Sequence, residues 1–169
     1  MNVVDKTINQ TSSQTGGKRF ALMEPSFDAL KGKKSIAWAL KIKKVVGWVG
    51  LGIGLVNKIS IEKGYGFSYT STGHGSYMIS FNGYSWSHSI GTDNSMHKAF
   101  HYVSGDTVNI CYDAVNNKLK FMKGSNGEKF WMKTSEPPVG DHFCPCVNLC
   151  SNGDSVEILD KVDKIDWEN

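Results

Sequence analysis

Three observations predict an all-β fold, a sandwich of two antiparallel sheets. Apolar residues recur at every second position through most of the chain. Short turns rich in Gly, Asn, Asp and Ser separate these runs. No long stretch carries the 3.6-residue period of a helix. A chain of 169 residues is one ordinary domain, and 18 Gly with only 4 Pro suit many short strands joined by tight turns.

The elements follow in order. Residues 1–18 are polar, rich in Thr, Ser, Gln and Gly, and are read as an N-terminal tail. Residues 24–31 have room for one helical turn. Ile36, Trp38, Leu40 and Ile42 then alternate with Ala37, Ala39 and Lys41. Residues 47–56 form a Gly-rich apolar strand, where small residues let neighbouring backbones or rings approach closely. Tyr65, Phe67 and Tyr69 alternate, as do Tyr77, Ile79 and Phe81. Asn82-Gly83 is a strong turn signal, and Tyr84, Trp86 and His88 alternate beyond it. In GDTVNICYDAVNNKLKF, residues 105–121, Val108, Ile110 and Tyr112 sit two apart, and so do Leu119 and Phe121. The link between them holds two Asn, which tolerate the left-handed backbone of a tight turn, so this segment is an antiparallel hairpin. Ser125-Asn126-Gly127 turns again, and Phe130 and Met132 form a strand that ends before Pro137-Pro138. The last strands are 144–149 and 155–159, joined by Asn152-Gly153-Asp154. Residues 161–169 form a charged tail in which Ile165 and Trp167 alternate. The domain itself is therefore placed at residues 19–160.

Composition narrows the function. Net charge is only +3, and one Arg stands among 19 basic residues. The Lys are scattered, and bidentate reading of guanine or phosphate favours Arg, so nucleic-acid binding is not expected. The N-terminus has no basic stretch followed by an apolar one, so secretion is not expected either. The most apolar run, residues 45–56, is 12 residues long, against about 20 for a membrane-spanning helix. An intracellular, cytoplasmic location follows as the expectation, with the four Cys as thiols. Cys144, Cys146 and Cys150 share one parity of a strand, which spreads them too far apart for a tetrahedral zinc site. In GLGIGL the third Gly of a dinucleotide loop is replaced by Leu55, and no helix follows. No spacing marks a nucleophile elbow or paired carboxylates. The expectation is a chain with no cofactor, no metal and no enzymatic activity.

Four segments carry a family resemblance. IAWALKIKKVVGWVGLGIGL resembles the early strand pair of SPRY domains, with its W-x-G-x-G strand. GSYMISFNGYSWSH is similar to that family's central segment. GDTVNICYDAVNNKLKFMKGSNGEKF resembles its most diagnostic part: Gly-Asp, alternating apolars, Asp, a turn, a Leu-x-Phe strand, then Asn-Gly. FCPCVNLCSNGDSVEI resembles the closing strand and its partner. Asn109 departs from the pattern, standing where the family commonly has Gly. The resemblance implies a bent two-sheet sandwich of the SPRY, concanavalin-like jelly-roll type. It also implies a non-catalytic domain that binds other proteins through loops at one rim. The hairpin at 105–121 would then be core, with Asp106 and Asp113 bonding the local backbone. No RING-type Cys/His ladder or heptad repeat accompanies these segments, so a self-contained ubiquitin ligase is not expected.

Polar loops on a rigid sandwich are the usual place for recognition, and four loops fit: 57–65, 70–76, 91–97 and 135–142. The resemblance points most to the first two and to the turn at Tyr84. The candidate partner-binding residues are Asn57, Lys58, Lys63, Tyr65, Thr72, His74, Tyr84, Trp86, Asp93 and Asp141. The aromatics would supply anchoring area, and Lys58, Lys63, Asp93 and Asp141 would set register. For Trp86 the competing reading is core packing, as it is for Trp38 and Trp48. The expected function is an adaptor or structural subunit that binds a partner protein. The alternatives are a lectin-like carbohydrate module, with Trp86, His88 and Asn82 as sugar contacts, and the substrate-recognition subunit of a ubiquitin ligase.

Overall fold

The computed structural model describes residues 1–11, 18–23, 34–59, 71–125 and 127–162. Thirteen strands occur among them: β1 (Asn2–Val4), β2 (Thr7–Asn9), β3 (Arg19–Leu22), β4 (Ser35–Lys44), β5 (Val49–Leu55), β6 (Ser76–Ser80), β7 (Asn82–Ser87), β8 (Met96–His101), β9 (Thr107–Asp113), β10 (Lys118–Lys123), β11 (Lys129–Lys133), β12 (Phe143–Leu149) and β13 (Ser155–Leu159). One sheet has the order β1-β2-β13-β4-β9-β10-β11, the other β3-β12-β5-β6-β7-β8, and every paired neighbour is antiparallel. The all-β, two-sheet sandwich expected from the alternating pattern is the fold of the chain.

The alternation does the packing. Trp38, Leu40 and Ile42 from β4, Val108, Ile110 and Tyr112 from β9, and Leu119 and Phe121 from β10 point inward from the seven-stranded sheet. They meet Val49, Leu51, Ile53 and Leu55 of β5, with Tyr77, Ile79, Phe143, Val147 and Leu149. A one-residue slip in any of these strands would turn its apolar set to the outside, so the register is strongly specified. The 105–121 hairpin closes as expected: Asn117 takes a left-handed backbone at φ 48°. Asp113 accepts from the backbone N–H of Val115 and Asn116, and Asp106 accepts from Val103 N–H. Asn109, at the position where the resemblance suggested Gly, is fully buried and donates to the carbonyl of Gly124.

The six-stranded sheet is buried on both faces at β5 and β12. Its outer face carries a second cluster of Phe20, Ile59, Met78, Trp86 and Cys146, with Leu22, Trp48 and Tyr84 packed against it. The glycines of β5 make this possible. A Cβ on Gly54 would stand 1.9 Å from Ile59 Cδ1, and one on Gly50 would stand 3.3 Å from Trp48 Nε1. Trp48 is thus half-buried on the outer face, its indole N–H donating to Asn148 Oδ1, while Trp38 belongs to the main core.

Residues 2–9 depart from the polar-tail expectation. They form the β1–β2 hairpin, turned at Asp5 and Lys6 with positive φ, and β2 pairs with β13. Ile8 is the residue that holds it, 2% exposed within the core. The helical turn expected at 24–31, the Tyr65–Tyr69 alternation, Asn126, and the Ile165 and Trp167 pattern fall outside the described residues.

Candidate functional site

In an up-and-down arrangement every second connection lies at the same end. The β5–β6, β7–β8, β9–β10 and β11–β12 connections therefore share one rim, and hydrogen bonds tie its described parts together. The Asn57 backbone N–H donates to Asp141 Oδ1 at 3.1 Å, and the Asn57 amide donates to the Gly140 carbonyl. Val56 N–H donates to the carbonyl of His142. Tyr77, a core residue at the inner end of the rim, shares a hydrogen bond of 2.8 Å with Ser135 Oγ and accepts one from Ser135 N–H. These contacts fix the β11–β12 loop on the sandwich.

A polar knot holds the other side of the rim. Asn94 Oδ1 accepts from Ser87 N–H at 2.6 Å and lies 3.3 Å from His74 Nε2, while the Asn94 amide donates to the Ser71 carbonyl. His74 Nδ1 lies 3.0 Å from Ser76 Oγ. His88 Nδ1 accepts from Gly75 N–H at 2.8 Å. Both imidazoles titrate below the ordinary histidine range. Burial is the main cause in each; for His74 a hydrogen bond donated to Asn94 Oδ1 opposes it, and for His88 the nearby Lys58 adds to it while Asp141 opposes it. Desolvation disfavours the charged imidazolium.

An open cleft of about 400 Å³ lies on this rim, between the β9–β10 turn and the β11–β12 loop. Tyr112 and Phe143 supply its apolar wall, and Asn117, Glu136, Asp141 and His142 its polar groups. Burial pushes the Tyr112 phenol above its ordinary range, with the neighbouring Thr134 side chain opposing the rise. It is a neutral hydrogen-bonding group in that wall. Asp113, beside the cleft, behaves oppositely: desolvation raises its pKa, but hydrogen bonds from Asn116 and the attraction of Lys120 hold it below the usual carboxylate range.

The rim gathers Asn57, Lys58, Thr72, His74, Asp93 and Asp141. Asn57, Lys58 and Thr72 are exposed, and Asp93 and Asp141 half-exposed. His74 is a correction: at 3% exposure it is an internal strut of the polar knot, not a surface contact. Trp86 is a second, because at 2% exposure it packs inside the outer-face cluster, 4.9 Å from Trp48 ring to ring. Tyr84 is half-buried on the same face of the six-stranded sheet, away from the rim. Lys63 and Tyr65 fall outside the described residues. Asn94 and Glu136 lie in loops the sequence marks for recognition, 91–97 and 135–142, without being singled out there, while His88 enters only as a sugar contact and Tyr112 only as a strand residue.

No helix among the described residues is long and apolar enough to cross a membrane, and no group of three or more His, Cys, Asp or Glu among them could hold a metal ion. No protein-family model matches the sequence, and no curated protein matches it. Solved structures do match. The chain is similar to the SPRY domain of human HERC1, with TM-score 0.60 and 14% identity over 97% of this chain and 96% of that one. It is also similar to the TRIM65 PSpry domain, with TM-score 0.60 and 13% identity over 93% of this chain and 81% of that one. At such identities the likeness speaks to architecture, and the architecture of this chain is that of a SPRY domain.

Proposed function

We propose that this SPRY-fold chain is a non-enzymatic recognition domain that binds a segment or surface of a partner protein at its loop rim, as an adaptor or structural subunit of a larger assembly. The observation that carries the reading is the cleft of about 400 Å³, open to solvent and walled by both aromatic and polar groups on loops already fixed by hydrogen bonds. Preformed loops lose little entropy on binding, which favours a small recognition surface. Glu136 and Asp141 in the cleft lining, with Lys58 next to the Asn57 that bonds Asp141, offer charges of both signs to orient a bound chain.

The carbohydrate alternative relied on Trp86, His88 and Asn82 as sugar contacts. Trp86 is buried, His88 holds Gly75 N–H, and Asn82 Oδ1 accepts from Ser80 Oγ. That leaves the protein-binding reading in front.

Affinity capture from cells with the whole chain, quantified by mass spectrometry, tests it. A partner protein should be enriched by the wild type and reduced at least tenfold by Glu136→Ala or Lys58→Ala, both at exposed positions. Lys41→Ala, on the exposed face of β4, should leave capture unchanged. Capture that ignores both rim substitutions, or binding to a glycan array without any protein partner, would overturn the proposal.

A further inference from the structure

The edge of the six-stranded sheet carries an arrangement that recognition at the rim does not use. His97 and His101, both exposed on β8, bring their Nε2 atoms within 2.7 Å of each other. Four residues apart on a regular strand, their Cα atoms would be separated by about 13 Å. A bulge removes that distance. Asn82 pairs with His101 and Tyr84 with His97, so one residue of β7, Gly83, faces three of β8, Lys98, Ala99 and Phe100. Bulges of this kind re-aim side chains, often beside functional sites.

Gly83 is fitted to the pair. Its φ is +79°, and a Cβ there would lie 3.0 Å from His97 Nε2, 3.0 Å from the Ala99 carbonyl and 3.2 Å from His101 Cδ2. The missing side chain is the space over which the two rings meet. Tyr84 stands edge-on against His97, with ring centroids 5.4 Å apart, and walls one side. Two neighbouring lysines are ion-paired: Lys98 with Asp93, and Lys123, which also donates to the His101 carbonyl, with Asp106.

We propose that His97 and His101 form an open two-histidine site for a late first-row divalent metal. In the free protein one ring's Nε2–H donates to the other Nε2. On binding, the donor ring moves that proton to Nδ1, and both Nε2 lone pairs turn to the ion without any proton being lost. Ni(II) and Cu(II) suit such a site, since imidazole nitrogens bind both strongly and both accept shells completed by other donors. No third His, Cys, Asp or Glu among the described residues completes a cluster, so the remaining positions are filled by water or by a donor from outside.

Ni(II) is the probe, because it does not oxidise the chain's thiols. Calorimetric titration of the reduced full chain in a non-coordinating buffer should show one saturable site. The imidazole signals of His97 and His101 should broaden first in the nuclear magnetic resonance spectrum. His97→Ala and His101→Ala should each weaken binding at least tenfold, and Cys150→Ser should leave it unchanged. Gly83→Ala keeps both ligands but pushes the rings apart, and should also weaken binding. If that variant does not fold, the two histidine variants decide alone. Unchanged affinity in the His97→Ala/His101→Ala double variant, or no saturable binding up to millimolar Ni(II), would reduce the pair to a surface hydrogen bond and end the proposal.

Discussion

Asp154 is fully buried, and its carboxylate accepts backbone N–H groups from Val46, Gly47, Trp48, Cys150 and Ser151 at 2.6–3.2 Å. One side chain thereby satisfies two adjacent turns at the end of the sandwich opposite the rim. Removing it leaves several donors without partners, each costing roughly 1–3 kcal/mol where water cannot reach. Asp154→Ala should therefore lose at least about 3 kcal/mol in urea unfolding. Asp154→Asn keeps one acceptor oxygen and should fall between the two. The sequence offered Asn152-Gly153-Asp154 as a turn, which it is. It did not reveal that the carboxylate reaches across to residues 46–48, because that distance is set by sheet pairing and not by local spacing. The same limit hid the meeting of His97 and His101, where the decisive feature is a bulge opposite Gly83.

Among elements, strands with long alternating runs were legible and the short ones were not. β4 and β9 carry apolar residues at every second position over most of their length, and the inward faces of the sandwich follow directly. β1 and β2 are three residues each; β1 pairs only with β2, and β2 is held by β13, whose residues lie about 150 positions away. Ile8 is the one buried residue among these two strands. Ile8→Ala should cost about 2–4 kcal/mol, as for a buried aliphatic in a core. Val3→Ala, at a position 60% exposed, should change stability by less than about 0.5 kcal/mol. Thermal unfolding of the two variants side by side separates a docked hairpin from a polar tail, for which neither change would matter. Trp86 is a related case: Tyr84 and Trp86 alternate as the sequence shows, but the outer face of β7 is itself buried in part, so a second core covers Trp86 where a binding surface was expected.

At the scale of the whole molecule, the described parts of the loops marked as polar in the sequence fall in three connections, β5–β6, β7–β8 and β11–β12, which share one end because successive strands alternate in direction. That much was legible. The cleft was not, since its walls come from residues as distant as Tyr112 and Phe143. The same rim makes stability depend on pH. His74 and His88 are harder to protonate folded than unfolded, so the unfolded chain takes up protons first as pH falls past the ordinary value of 6.5. Stability is therefore complete above that value and declines below it. The melting temperature should drop between pH 7.5 and 5.5, and the drop should shrink in the His74→Gln/His88→Gln variant, even if that variant melts lower at both. An unchanged drop would assign the effect to other groups.

The pairing of β2 with β13 sets the order in which the chain can finish folding. On the ribosome, residues 7–9 emerge early and must wait for residues 155–157 before they can dock. Until then the flank of β4 that β13 will cover stays bare, and nascent chains with open strand edges attract one another. A chaperone that shields that margin until residues 155–157 are made would do more for the yield of this protein than one acting on β1 and β2.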